Sequence, residues 1–67
     1  MKSIVELIKE VKGMNDRRFA ERFGLASLDV AYHRRIDFDN WLRRCLEPRR
    51  QFGDIKEAWG QYEKSFG

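Results

Sequence analysis

Residues 15–35 read NDRRFAERFGLASLDVAYHRR. Asn15 or Asp16 offers a side-chain oxygen to the free N–H groups of a helix start. Phe19, Ala20 and Phe23 then recur at the three- to four-residue spacing of one helical face. Gly24 stands where a helix ends on a left-handed residue, and Leu25 follows as the closing apolar residue of a Schellman stop. Ser27 is a second N-cap. The spacing predicts a helix over 16–23, a glycine turn and a second helix from about residue 27.

Such a helix-turn-helix needs a small residue in its first helix, a residue tolerating positive φ at the turn, and an apolar residue of the second helix facing the core. Ala20, Gly24 and Val30 occupy those places. Beyond Ser27 two readings compete. In the first, helix 3 ends near Arg35 and a new helix begins at Asp37 or Asp39; Val30 is then buried and Leu28, Ala31 and Tyr32 point outward. In the second, one helix runs from Ser27 to Leu46, since no Gly or Pro interrupts it. Leu28, Ala31, Tyr32, Phe38, Leu42, Cys45 and Leu46 then share a face, and Val30 and Ile36 point away. The first is the favoured expectation.

On the N-terminal side, Ser3 with Glu6 fits a capping box. Ile4, Leu7, Ile8 and Val11 form one stripe, so a helix is expected over about 3–12, with Gly13 as its stop. On the C-terminal side, Asp54 with Glu57 marks another start after Gly53. Phe52, Ile55, Trp59, Tyr62 and Phe66 follow at alternating spacings of three and four, a heptad-like seam. The seam fits closure of the domain's own core. It also names these five residues as a candidate dimer or partner interface, because Trp, Tyr and Phe are enriched at interface centres. Gly60 in this helix suggests fraying or the close approach of another helix. No segment reads as a strand. The expected architecture is one domain, residues 1–67: an all-α compact bundle of four to five short helices, with the helix-turn-helix at about 16–35.

Sixty-seven residues bury too little surface for a large internal pocket, which argues against most enzymes. No nucleophile is paired with the single histidine, His33, which is expected to be packed or hydrogen-bonded, with Asp37 one turn on as a partner. No metal site or cofactor is expected: Cys45 is the only cysteine, and four good ligands are lacking. No apolar run approaches a membrane span, and residues 1–13 do not read as a secretory signal. A reducing, cytoplasmic setting is the simplest expectation. Net charge is +3, with arginines in doublets at 17–18, 34–35, 43–44 and 49–50. Arginine's planar fork suits phosphate, so the doublets suggest a polyanion, although acids are interleaved throughout.

The stretch IVELIKEVKGMNDRRFAERFGLASLDVAYHRR, followed by DFDNWLRRCLEP, resembles the N-terminal domain of phage CI-type repressors, within the lambda-repressor-like group. The similarity rests on Asp16, Arg17, Phe19, Ala20, Phe23, Gly24, Ala26-Ser27, Arg34-Arg35 and Cys45-Leu46-Glu47. His33, Leu28 and Asp29 depart from the family's pattern. The resemblance implies a small phage- or prophage-type protein that binds operator double-stranded DNA as a homodimer to regulate transcription. Helix 3 in a major groove would place Ser27, Asp29, Ala31, Tyr32 and Arg35 toward bases or phosphates. Arg17, Arg18 and Arg34 would meet the backbone. The competing class is a small helical modulator that binds and inhibits a host protein, with Leu28, Tyr32, Trp41, Trp59 and Tyr62 as its adhesive surface.

Overall fold

The computed structural model describes residues 2–44 and 51–65. In chain order these form β1 (Lys2–Ser3), α1 (Ile4–Lys12), α2 (Asp16–Phe23), α3 (Leu28–Arg44), β2 (Gln51–Phe52) and α4 (Ile55–Ser65). The fold is an all-α compact bundle with one short strand pair, as the composition and periodicity predict for its helices.

Local chemistry sets every helix start. The Ser3 hydroxyl accepts from the Glu6 N–H at 3.3 Å, and Asn15 Oδ1 accepts from the Arg18 N–H at 2.8 Å. Ser27 Oγ accepts from the Val30 N–H at 3.2 Å. Asp54 Oδ1 accepts from the Glu57 N–H at 2.9 Å, and the Glu57 carboxylate reaches back to the Gly53 N–H. Each cap satisfies a donor that the helix leaves unpaired and contributes about 1 kcal/mol. Gly24 ends α2 at φ 66°, and the Leu25 N–H donates to the Ala20 carbonyl at 2.9 Å, which completes the predicted Schellman stop.

After this turn the structure departs from the favoured expectation. α3 runs unbroken from Leu28 to Arg44, so no new helix begins at Asp37 or Asp39. Ala31 is fully buried (0% exposed), whereas Val30 is 41% exposed. The reason is rotational phase. At about 100° per residue, Ala31 falls between Phe38 and Leu42 on the helix wheel, whereas Val30 lies roughly 80° from Phe38. Phe38 and Leu42 are both fully buried. Each contributes about 1.5–3 kcal/mol by burial. Two such residues outweigh one valine, and a continuous helix has only one phase to give.

α3 is the element on which α2, α1 and α4 all pack. Beneath it lie Ile4, Leu7, Ile8 and Val11 of α1 and Phe19 of α2. Ile55, Ala58, Trp59 and Tyr62 of α4 complete the core with Phe52. The Trp59 indole stacks on Phe23 at 4.3 Å between ring centres and meets the edges or faces of Phe19 at 5.4 Å and Phe38 at 5.1 Å.

Two further expectations are corrected here. Lys2 pairs with Phe52 and Ser3 with Gln51 in an antiparallel ladder, so the chain does contain strands. Two residues are too few to show the alternation that marks a strand. Buried Phe52 is what holds this segment against the core. The second correction concerns the seam: Phe52, Ile55, Trp59 and Tyr62 are buried in this chain's own core and present no dimer or partner interface. Phe66 lies outside the described residues. Gly60 marks no close helix approach, because a Cβ there would meet no described atom within 4 Å.

Candidate interaction surface

The phase that buries Ala31, Phe38 and Leu42 determines what α3 shows to solvent. Ile36 lies roughly 160° round the helix from Phe38. It is 42% exposed, with Tyr32 at 46% and Leu28 at 52%. Together these three residues form an i, i+4, i+8 line of apolar side chains. Among the described residues, five large hydrophobic side chains stand exposed: Leu28, Val30, Tyr32 and Ile36 on α3, and Val5 on α1. Isolated exposed apolar residues are ordinary, and their concentration on one helix is the informative feature.

Charge along the same face is graded. The exposed Asp29 stands in the first turn, with the His33 imidazole at 3.7 Å from its carboxylate. His33 is thus an exposed side chain beside Asp29, rather than packed or paired with Asp37. Asp37 instead accepts a hydrogen bond from the buried Tyr62 hydroxyl at 2.6 Å, which ties α3 to α4. Burial, then this bond and the Asp37 charge, push the Tyr62 hydroxyl well above its ordinary value, while the Arg34 charge works the other way. Arg43 and Arg44 are exposed in the last turn, and Arg43 Nε donates to Asp39 at 3.0 Å. The Tyr32 ring stands edge-on to His33 at 5.4 Å. A shallow groove along the helix is lined by Asp29, Val30, His33, Arg34 and Asp37.

The residues expected to meet DNA are divided by this geometry. Arg17 and Arg18 are exposed at the start of α2. With Arg22 they make no ion pair to a described residue. Arg18 and Arg22 line a cleft with Glu10, Gly13 and Met14. Ser27, Asp29 and Tyr32 are exposed, although Ser27 is engaged as a cap. Arg34 is half-buried. Two assignments are corrected. Ala31 is sealed in the core and cannot reach a base. Arg35 is half-buried and held by Asp16, with both Nε and Nη2 at 3.1 Å from Oδ1, so its guanidinium braces α3 against α2.

The alternative adhesive surface divides in the same way. Leu28 and Tyr32 are exposed, Trp59 and Tyr62 are core residues, and Trp41 is half-buried against the rings of Phe38, Phe52 and Tyr62. Ile36 was missing from that set, and the signal for it is its spacing of four from Tyr32 and eight from Leu28. Among the described residues no cluster of His, Cys, Asp and Glu is placed to hold a metal ion. No described helix is long and apolar enough to cross a membrane.

Comparison of the chain with family models, with curated proteins and with solved structures finds no match.

Proposed function

We propose that this chain is a small protein-interaction module that docks a partner protein through the outer face of α3. The observation that carries this reading is the line of Leu28, Tyr32 and Ile36, exposed on a helix whose opposite face is wholly committed to the core. A helix held rigidly from behind presents such a line without further ordering cost, and helix faces with i, i+4 anchors are a common recognition device. Tyr32 adds a large amphipathic ring of the kind enriched at interfaces.

A second reading, binding of operator DNA, is favoured by a separate observation: Arg17, Arg18 and Arg22 are exposed on α2 and make no ion pair with a described residue. In that reading α2 grips phosphates. Base reading by α3 is disfavoured, because Ala31 is withdrawn, Arg35 is engaged by Asp16 and Asp29 puts a negative charge on the approaching face.

The two readings separate in one experiment. A photo-crosslinking residue is placed at Ile36, at Tyr32 and, as a control on another exposed apolar site, at Val5. Protein adducts at 36 and 32 but not at 5 support partner docking. Absence of protein adducts at 36 and 32 rejects it. Duplex DNA binding in a salt series, lost in Arg17→Ala and Arg22→Ala but indifferent to Ile36→Ser, moves the function to the phosphate surface of α2.

A further inference from the structure

The outer face of α3 carries complementary side chains at equal distances from its centre. Ile36 is its midpoint. Asp29 lies seven residues before it and Arg43 seven residues after it, all three on one heptad line. On the flanks, Tyr32 and Asn40 lie four residues either side of Ile36, His33 and Asp39 three residues, and Leu28 and Arg44 eight. All but the half-buried Asp39 are exposed.

Turning a second copy of the helix end over end about Ile36 therefore superposes complementary partners. Asp29 meets Arg43 and Arg44 of the other copy, and His33 meets the Asn40 amide. Tyr32 meets the Asp39 carboxylate, and Leu28 meets the aliphatic stem of Arg43. At the centre Ile36 meets itself, the one position where a two-fold axis demands an apolar residue. Within one chain Asp29 and Arg43 stand about 21 Å apart along the helix and cannot pair. A parallel arrangement fares worse, since it sets Asp29 against Asp29 and Arg43 against Arg43. The existing neighbours, His33 for Asp29 and Asp39 for Arg43, are i, i+4 contacts on an exposed face, which are worth little alone.

We infer that the occupant of this surface is a second copy of the chain, joined by antiparallel packing of α3 on α3 across a two-fold axis at Ile36. This deepens the docking function proposed above and rests on it. A helix face about 25 Å long and about 10 Å wide is smaller than a standard interface of about 800 Å² per partner. The expected association is therefore weak and concentration-dependent.

Sedimentation equilibrium over a wide concentration range tests this. Wild type should pass from monomer to dimer. D29R and R43D should each weaken self-association at least about tenfold, since each sets like charges face to face. Mixed in equal amounts, the two variants should associate with each other about as well as wild type. The double variant D29R/R43D should regain self-association. All three positions are exposed, so circular dichroism of each variant should match wild type, and I36D supplies an independent disruption at the axis. A wild-type monomer at every concentration overturns the proposal, as does a dimer indifferent to D29R, R43D and I36D. The crosslink at Ile36 keeps the two levels apart. Adducts of twice the chain mass support the second copy. Adducts of any other protein mass overturn it while leaving partner docking in place.

Discussion

The two faces of α3 were built under opposite constraints. The inner face holds Ala31, Phe38 and Leu42 at zero exposure, and its chemistry is monotonous: small where the neighbouring helices come near, large where the aromatic rings of α2 and α4 leave room. The outer face mixes Leu28, Tyr32 and Ile36 with Asp29, Asn40 and Arg43, a composition that neither stabilises a core nor maximises solubility. The contrast teaches that burial on one side sets the rotational phase, and whatever lies half a turn away is presented as a consequence. Binding and stability are thus separable on one helix.

That separation is most easily broken with a pair of substitutions. Phe38→Ala should cost about 3–5 kcal/mol, enough to unfold much of the population of a small domain. Ile36→Ser, two residues away, should change stability by less than about 0.5 kcal/mol while weakening any contact made through the outer face. Urea denaturation of both proteins measures this, and similar losses in the two would erase the distinction between the faces.

The next effect concerns the turn that delivers α3 in this phase. Gly24→Ala forces an L side chain to φ 66°, at a cost of about 1–2 kcal/mol. No described atom lies within 4 Å of the added Cβ, so the loss measures backbone strain alone. An unchanged melting temperature would mean that the turn has another conformation open to it.

Tyr62 sits at the boundary between the faces, its ring in the core and its hydroxyl on exposed Asp37. Tyr62→Phe should cost about 1 kcal/mol, near the usual value for one hydrogen bond, since water can re-solvate Asp37. The same pair predicts a pH dependence. Unfolded tyrosine ionises near pH 10, whereas folded Tyr62 holds its proton to higher pH. Above pH 10 the unfolded chain therefore binds fewer protons, and the contribution from Tyr62 is complete below about pH 10 and declines as pH rises further. In Tyr62→Phe this alkaline decline should flatten, as melts at stepped pH would show.

The smallest effect has the opposite sign. Gly60 lies within α4, and a methyl group added to it would meet no described atom within 4 Å. Gly60→Ala should stabilise the domain by up to about 1 kcal/mol through helix propensity alone. Destabilisation would reveal a packing constraint on α4 like that on the inner face of α3.

Much of the fold was legible because it depends on local chemistry. Ser3, Asn15, Ser27 and Asp54 cap the helices their positions suggest. Gly24 takes the left-handed conformation its context demands. The apolar stripe of α1 is the buried one. What eluded the sequence was the phase of α3, because Val30 and Ala31 are neighbours and either suits an inward position. Only the simultaneous burial of Phe38 and Leu42 on an unbroken helix decides between them. The heptad line of α4 was ambiguous for a different reason: a stripe records that something covers it, and not whether the cover is the same chain. The site suffered most, since Arg35 could be assigned to DNA only while its pairing with Asp16, nineteen residues away, was unseen.

The ring cluster around Trp59 has an optical consequence. Trp59 is nearly sealed from water and held at fixed tilts against Phe19, Phe23, Phe38 and Tyr62. Its transition dipoles sit in an asymmetric setting, so the folded protein should give strong near-ultraviolet dichroism that vanishes when packing is lost. At 5.1 Å between ring centres, Tyr62 should pass its excitation to the indole, leaving the native emission dominated by tryptophan. Because Phe19, Phe23 and Phe38 meet Trp59 from α2 and α3, loss of that near-ultraviolet signal would report the parting of α4 from the rest of the bundle, separately from the melting of the helices themselves.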